Sequence, residues 1–144
     1  MNRSELRKKI MTILYQIFLY ENNNIDYKID EVIKESIDIE NDFVNEIVNG
    51  VLDNRNDINK IANKHLKDWT IDRLGLTDQA ILSIGIYELV YTDTPEIVAI
   101  NEAVELSKEY SDDKVKNMIN AVSLDNAKTL TPQEMDSLLS GTSN

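Results

Sequence analysis

The sequence predicts an all-α protein, and three observations carry that expectation. Apolar residues recur at three- and four-residue spacing through most of the 144-residue chain, which is the period of a helix with one buried face. No stretch alternates apolar and polar residues as a half-buried strand does. Residues that start and stop helices fall at the ends of the periodic stretches. Hydrophobic residues make up 42% of the chain, enough for a buried core. The length fits one domain, or two small helical lobes sharing a core.

Taken in order, Leu6, Ile10, Ile13, Leu14 and Ile17 place an amphipathic helix over residues 4–20, with Ser4 as its N-cap and Asn22, Asn23 and Asn24 breaking it. A short helix is expected over 28–37. Phe43, Ile47, Val48 and Val51 mark another at about 40–53, and Ile58, Ile61 and Ala62 a fourth at about 56–65. Trp69 fills the join between the two halves, followed by a short turn from Thr70 to Leu74 that Gly75 can close. Residues 78–91, DQAILSIGIYELVY, are apolar around nearly the whole circumference. Such a helix belongs at the centre of a bundle. Gly85 costs about 1 kcal/mol of helix propensity relative to alanine, a cost that a close helix crossing would offset. Thr94 and Pro95 end that segment. Ile100, Ala103, Val104, Ser107 and Tyr110 give the next helix its packing face, and Asp112 caps a further one at about 113–126. In LTPQEMDSLLSG, Thr131 is a cap, Pro132 takes the first helical position and Glu134 closes a capping box, so a short tail helix that docks or frays is expected.

The net charge is −11, but it is unevenly spread. Residues 1–20 carry Arg3, Arg7, Lys8 and Lys9 against Glu5, a local +3, whereas residues 21–57 hold eleven acids against three cations. Local charge sets the field at a binding face, so overall acidity does not exclude a polyanionic partner. It argues against strong, indiscriminate binding to nucleic acid, and the acidic middle could face a basic protein. There is no cysteine and a single histidine, His65. Disulfides, thiolate metal sites, cysteine nucleophiles and histidine-rich zinc sites are thereby excluded. No apolar run approaches the roughly 18 residues of a membrane span, and the charged start does not read as a signal peptide, so a soluble, cytoplasmic protein is expected.

Catalytic chemistry finds little support. The four glycines, at 50, 75, 85 and 141, form no phosphate-cradling loop. His65 reads as a half-buried residue near Trp69 and not as part of a triad. Glu102 and Glu105 share a helix face, which leaves an acidic magnesium-dependent enzyme as a minor alternative, yet the Glu-x-x-His motif of di-metal bundles is missing. Glu88 stands in an almost wholly apolar helix and reads as a buried hydrogen-bond anchor at the junction of the halves. No cofactor is expected.

The first helix carries the most informative surface. At 100° per residue its core stripe centres on Leu6, Ile10 and Ile17. Arg3 and Arg7 border the stripe, Lys9 flanks its other side and Lys8 points away. Lys8, Met11, Tyr15 and Leu19 fall together as a second face. Two faces imply either a doubly buried helix or one core contact and one partner contact.

Three segments resemble the NusB family of transcription antitermination factors. They are LRKKIMTILYQIF at 6–18, HLKDWTIDRLGLTDQAILSIGIYEL at 65–89 and DTPEIVAINEAVELSKEYSDD at 93–113, with PEIVAINEAVEL the most specific. The ordered likeness runs over about residues 3–122. It implies two perpendicular three-helix bundles with an additional helix, here subdomains of about 1–68 and 69–130 in a single domain, followed by the 131–144 tail. It also implies function without catalysis: pairing with NusE, a small-subunit ribosomal protein, binding of boxA RNA in nascent ribosomal RNA transcripts, and modification of RNA polymerase. Arg3 and Arg7 match the RNA-facing arginine-rich start, with Lys8 and Lys9 adding charge. Tyr15 and Asp78 match positions facing NusE, which gives the second face of Met11, Tyr15 and Leu19 a partner.

The chain departs from the family at MINAVSL, residues 118–124, where F-V-N-G-V-L is usual. Met118 stands for an aromatic able to stack on a base, Ala121 for glycine, and Asn120 is retained. Lys114 and Lys116 offer phosphate contacts nearby. The departure motivates an alternative, a protein–protein adapter that keeps NusE without sequence-specific RNA reading. The apolar second face could also pair with itself when NusE is missing. Larger ribosomal-RNA methyltransferases that begin with a NusB-like domain do not match on length. As a solvated phosphate contact, Arg7 is expected to weaken RNA binding when neutralised and to leave the melting temperature nearly unchanged.

Overall fold

A computed structural model describes residues 1–66, 70–111 and 113–126. Trp69, Asp112 and the 131–144 tail lie outside the described residues. Seven α-helices are found among them: α1 (Arg3–Asn22), α2 (Ile29–Ser36), α3 (Asp42–Asp53), α4 (Arg55–His65), α5 (Leu76–Tyr91), α6 (Glu96–Tyr110) and α7 (Asp113–Asn126). A single 3-10 turn, Ile71–Arg73, precedes α5. The described residues contain no strand.

The first helix starts one residue earlier than its apolar stripe suggests. Asn2, not Ser4, is the N-cap, its side chain accepting the Glu5 N–H at 2.9 Å. Ser4 is thereby freed to donate across the molecule to Glu102 Oε1 at 2.7 Å. At the other end Asn24 adopts φ 54°, a left-handed conformation that asparagine tolerates better than most residues.

Helix α1 packs on α2 and α3, and α5, α6 and α7 pack pairwise into a second three-helix group. The additional helix, α4, lies against α5 and α7. The two groups meet through α5, which touches α1, α3 and α4 as well as its own partners. Eleven consecutive α5 residues, Gln79 to Leu89, are buried, as the apolar circumference of that segment requires.

Two glycines permit close packing of neighbouring elements. A Cβ on Gly85 would lie 2.6 Å from Ile119 Cδ1 and 3.2 Å from Ala103 Cβ, so α5 approaches α6 and α7 where it has no side chain. A Cβ on Gly50 would fall 2.2 Å from the Tyr87 ring and hydroxyl. Tyr87 thus occupies the gap that Gly50 leaves in α3, and Tyr91 stacks on it at 5.4 Å. Gly75 has a different role from the one its position after the turn suggests. With φ −59° it is the N-cap of α5 and closes nothing by a left-handed turn.

Candidate binding face on the first helix

The expected RNA-facing cations of α1 separate into three environments. Arg7 is buried, only 2% exposed. Its Nε and a terminal nitrogen each donate at 2.7 Å to the two carboxylate oxygens of Glu88, itself 1% exposed. Thr94 Oγ1 donates to the same carboxylate at 3.0 Å, and Glu102 lies 3.8 Å from the guanidinium. Burial pulls the Arg7 pKa down, and the hydrogen bond and charge of Glu88, with the charge of Glu102, more than offset it, leaving it raised. This corrects the solvent-facing placement of Arg7. A guanidinium bordering the stripe turned inward because a carboxylate from α5 waits there, and its Nε edge is fully taken up by Glu88. Glu88 is the buried anchor that its apolar setting suggested.

Lys8 is exposed but not isolated. Its ammonium lies 3.1 Å from Glu109 on α6. The hydrogen bond and charge of that carboxylate raise the Lys8 pKa, while the bonds from Lys8 and Tyr110 lower that of Glu109. Ser4, Lys8, Glu102, Glu105, Leu106 and Glu109 line a cleft of about 270 Å³ between α1 and α6. Lys9 is half-buried. Arg3 is exposed, with its guanidinium carbon 4.5 Å above the centre of the Phe43 ring. Neither Arg3 nor Lys9 has a carboxylate partner among the described residues.

The second face of α1 is largely open. Tyr15 is 40% exposed and Leu19 36%. Met11 departs from that grouping: it is buried in the core cluster, because α1 carries a core stripe broad enough to include it. Asp78, at the start of α5, is half-buried and accepts a hydrogen bond from Ser111 Oγ. That bond ties α5 to the end of α6, beside Tyr110, which is itself 42% exposed.

On α7, Lys116 and Asn120 are exposed, and Lys114 lies on the same helix. Met118 is buried, 4% exposed. This corrects its grouping with the RNA-facing residues: on α7 it points into the core beside Ile119 and Val122, so it has no surface to offer a base. The carboxylates considered for metal binding are engaged elsewhere. Glu102 accepts from Ser4, and Glu105 pairs with Lys108 at 3.3 Å. Among the described residues, no three His, Cys, Asp or Glu side chains converge as metal ligands do. Nor does any described helix have the length and apolarity to cross a membrane. Phe43, whose ring lies under Arg3, reads in the sequence only as a core aromatic at the start of a helix.

The helical scaffold thus carries exposed cations at the start of its first helix and exposed Tyr15 and Leu19 further along it. The chain belongs to the NusB family, whose model matches residues 4–128. It is similar to the transcription antitermination protein NusB of Campylobacter jejuni, 39% identical over 122 residues that cover 83% of this chain and 91% of the relative. It is also similar to that of Staphylococcus carnosus, 42% identical over 126 residues, 85% of this chain and 96% of the relative. Both relatives are transcription antitermination proteins.

Among solved structures, T. maritima NusB shares the fold, with a TM-score of 0.72 and 23% identity over 94% of this chain and 98% of that one. A structure of antitermination factors NusB and NusE in complex with double-stranded RNA gives a TM-score of 0.69 at 25% identity, covering 88% of this chain and 96% of that one.

Proposed function

We propose that this protein is an RNA-binding antitermination factor that pairs with NusE, binds boxA RNA of nascent ribosomal RNA transcripts and thereby modifies RNA polymerase in the cytoplasm. Family membership over residues 4–128 is the observation that carries this reading. The geometry supports it with two separate surfaces. Arg3 and Lys9, with Lys114, Lys116 and Asn120 of α7, supply the RNA side; Tyr15, Leu19 and Asp78 supply the NusE side. Lys8 joins the RNA side only if phosphate displaces Glu109.

The test is a binding titration of the NusE-loaded protein against boxA RNA and a scrambled control. The expected result is tighter binding to boxA, with affinity falling as salt rises by a log–log slope of roughly −0.7 per phosphate contact. Lys9→Ala is expected to flatten that slope by about 0.7. Equal, feeble binding to both RNAs removes sequence-specific reading.

Buried Met118 favours a second reading, an adapter that holds NusE while the RNA is positioned and not read, because phosphate contacts position without specifying sequence. Tight NusE binding with no boxA preference selects it. Without NusE, the Tyr15 and Leu19 face is free to pair two copies, and light scattering with and without NusE detects that exchange.

A further inference from the structure

We infer that Arg3, backed by Phe43, is a stacking platform for an unpaired RNA base and not one more phosphate contact. The inference rests on the RNA-binding reading and assigns the chemistry of one subsite within it.

The Phe43 ring interacts with two guanidinium groups, the carbon of Arg3 at 4.5 Å from its centre and that of Arg7 at 5.1 Å. Their charges have different fates. Arg7 is neutralised by Glu88 through two hydrogen bonds and held in the core. Arg3 has no carboxylate partner among the described residues, in a chain with 26 acidic side chains. The ring itself is anchored: Phe43 lies in the core cluster, one residue into α3, a helix capped by Asn41 accepting the Val44 N–H at 3.1 Å.

A guanidinium is planar and weakly hydrated, so it stacks on π-systems in a way an ammonium does not. Ring contact on one side restrains Arg3 and leaves its remaining surface to solvent, since the residue is exposed. Unpaired bases are held by stacking on aromatic rings or on arginine planes. A base laid on Arg3 continues the Phe43–Arg3 arrangement by one layer. The ring contact restrains that arginine, so part of the entropy of ordering it is already spent in the free protein. The cation–π attraction adds to the stack without any hydrogen-bond readout, so the subsite tolerates any base. It also supplies the stacking that buried Met118 does not.

Lysine separates the two chemistries, since Arg3→Lys keeps the charge and removes the plane. The NusE-loaded native protein is compared with Arg3→Lys, Arg3→Ala and Phe43→Leu, using boxA RNA carrying 2-aminopurine or an abasic site at successive positions. In the native complex, one 2-aminopurine position is expected to be quenched, and an abasic site at that position to weaken binding roughly tenfold. Arg3→Lys and Arg3→Ala lose similar affinity, abolish that quench and are insensitive to the abasic site. Their salt slope shifts by less than the ~0.7 of a lost phosphate contact. Phe43→Leu, checked by thermal melting, loses the same quench because Arg3 is no longer held.

Native-like binding by Arg3→Lys with weakened binding and a slope flatter by ~0.7 for Arg3→Ala makes Arg3 a phosphate contact and overturns the proposal, leaving the RNA reading intact. Native affinity in Arg3→Ala overturns it as well. A native complex that binds no RNA refutes the RNA reading itself, and the subsite with it.

Discussion

Arg7 shows how much one side chain's surroundings decide. In sequence it is one of four cations in RSELRKK; in the structure it is the positive half of a buried pair joining α1 to α5. Replacing it with alanine strands the Glu88 carboxylate in the core. Removing one partner of a buried pair costs about 3–5 kcal/mol. Arg7→Ala is therefore expected to lower the urea midpoint sharply. Replacing both residues by methionine should recover much of the loss, because no charge is left buried without a partner. A melting temperature unchanged by Arg7→Ala would contradict the burial described above. Any effect of Arg7 on RNA then comes through the position of α1, and of Arg3 above Phe43.

Helices α1, α3 and α5 show what a face is for. On α1 the core stripe and the open Tyr15 and Leu19 surface coexist, so Tyr15→Ala is expected to weaken NusE binding by about tenfold while leaving the melting temperature unchanged. Calorimetric titration showing native affinity would remove Tyr15 from that interface. On α3 and α5 the glycines differ in what surrounds them. Gly50→Ala drives a methyl to 2.2 Å from the Tyr87 ring and hydroxyl, so the whole ring, stacked on Tyr91, must shift. It should cost at the upper end of the ~1–3 kcal/mol usual for overpacking. Gly85→Ala meets chiefly the terminal methyl of Ile119, which can rotate aside, and its better helix propensity offsets part of the strain. The urea midpoints are expected to rank native, Gly85→Ala, Gly50→Ala from most to least stable.

For the whole molecule, charge and protonation set the working range. Most of the net −11 lies away from the +3 start, so binding to polyanions is confined to one region and is salt-sensitive. At high pH the tyrosines add a further term. Burial and the hydrogen bond to Glu21, accepted at 2.9 Å, push the Tyr27 pKa up to about 12. Burial also raises Tyr87, helped by Glu46 and Asp53, and Tyr91, helped by Asp57. A tyrosine in the unfolded chain ionises near ~10. The folded state therefore holds its protons more tightly, a stability contribution complete below pH ~10 and lost as pH rises towards 12. Urea midpoints measured from pH 9 upward should fall over that window, and Tyr27→Phe should fall less steeply than native. Parallel curves would show that Tyr27 does not carry the difference.

Much of the fold was legible because helix formation is read locally. The 3.6-residue rhythm, the asparagine break after α1, the Thr94-Pro95 stop and the all-round apolarity of α5 each appear within a dozen residues of sequence, and the observed helices follow them closely. Glu88 was legible too, since a lone carboxylate in an apolar helix must find a partner. The partner's identity was not, for Arg7 lies 81 positions away. The same holds for Met11 and Met118, whose burial depends on how neighbouring helices pack, and for Phe43, which meets Arg3 only because α3 brings its ring there. Sequence alone determined which segments are helical, where the charge lies and which family the chain resembles. Tertiary structure decided which cations face water, because a long side chain at the edge of a helix stripe goes wherever a distant residue offers the better partner.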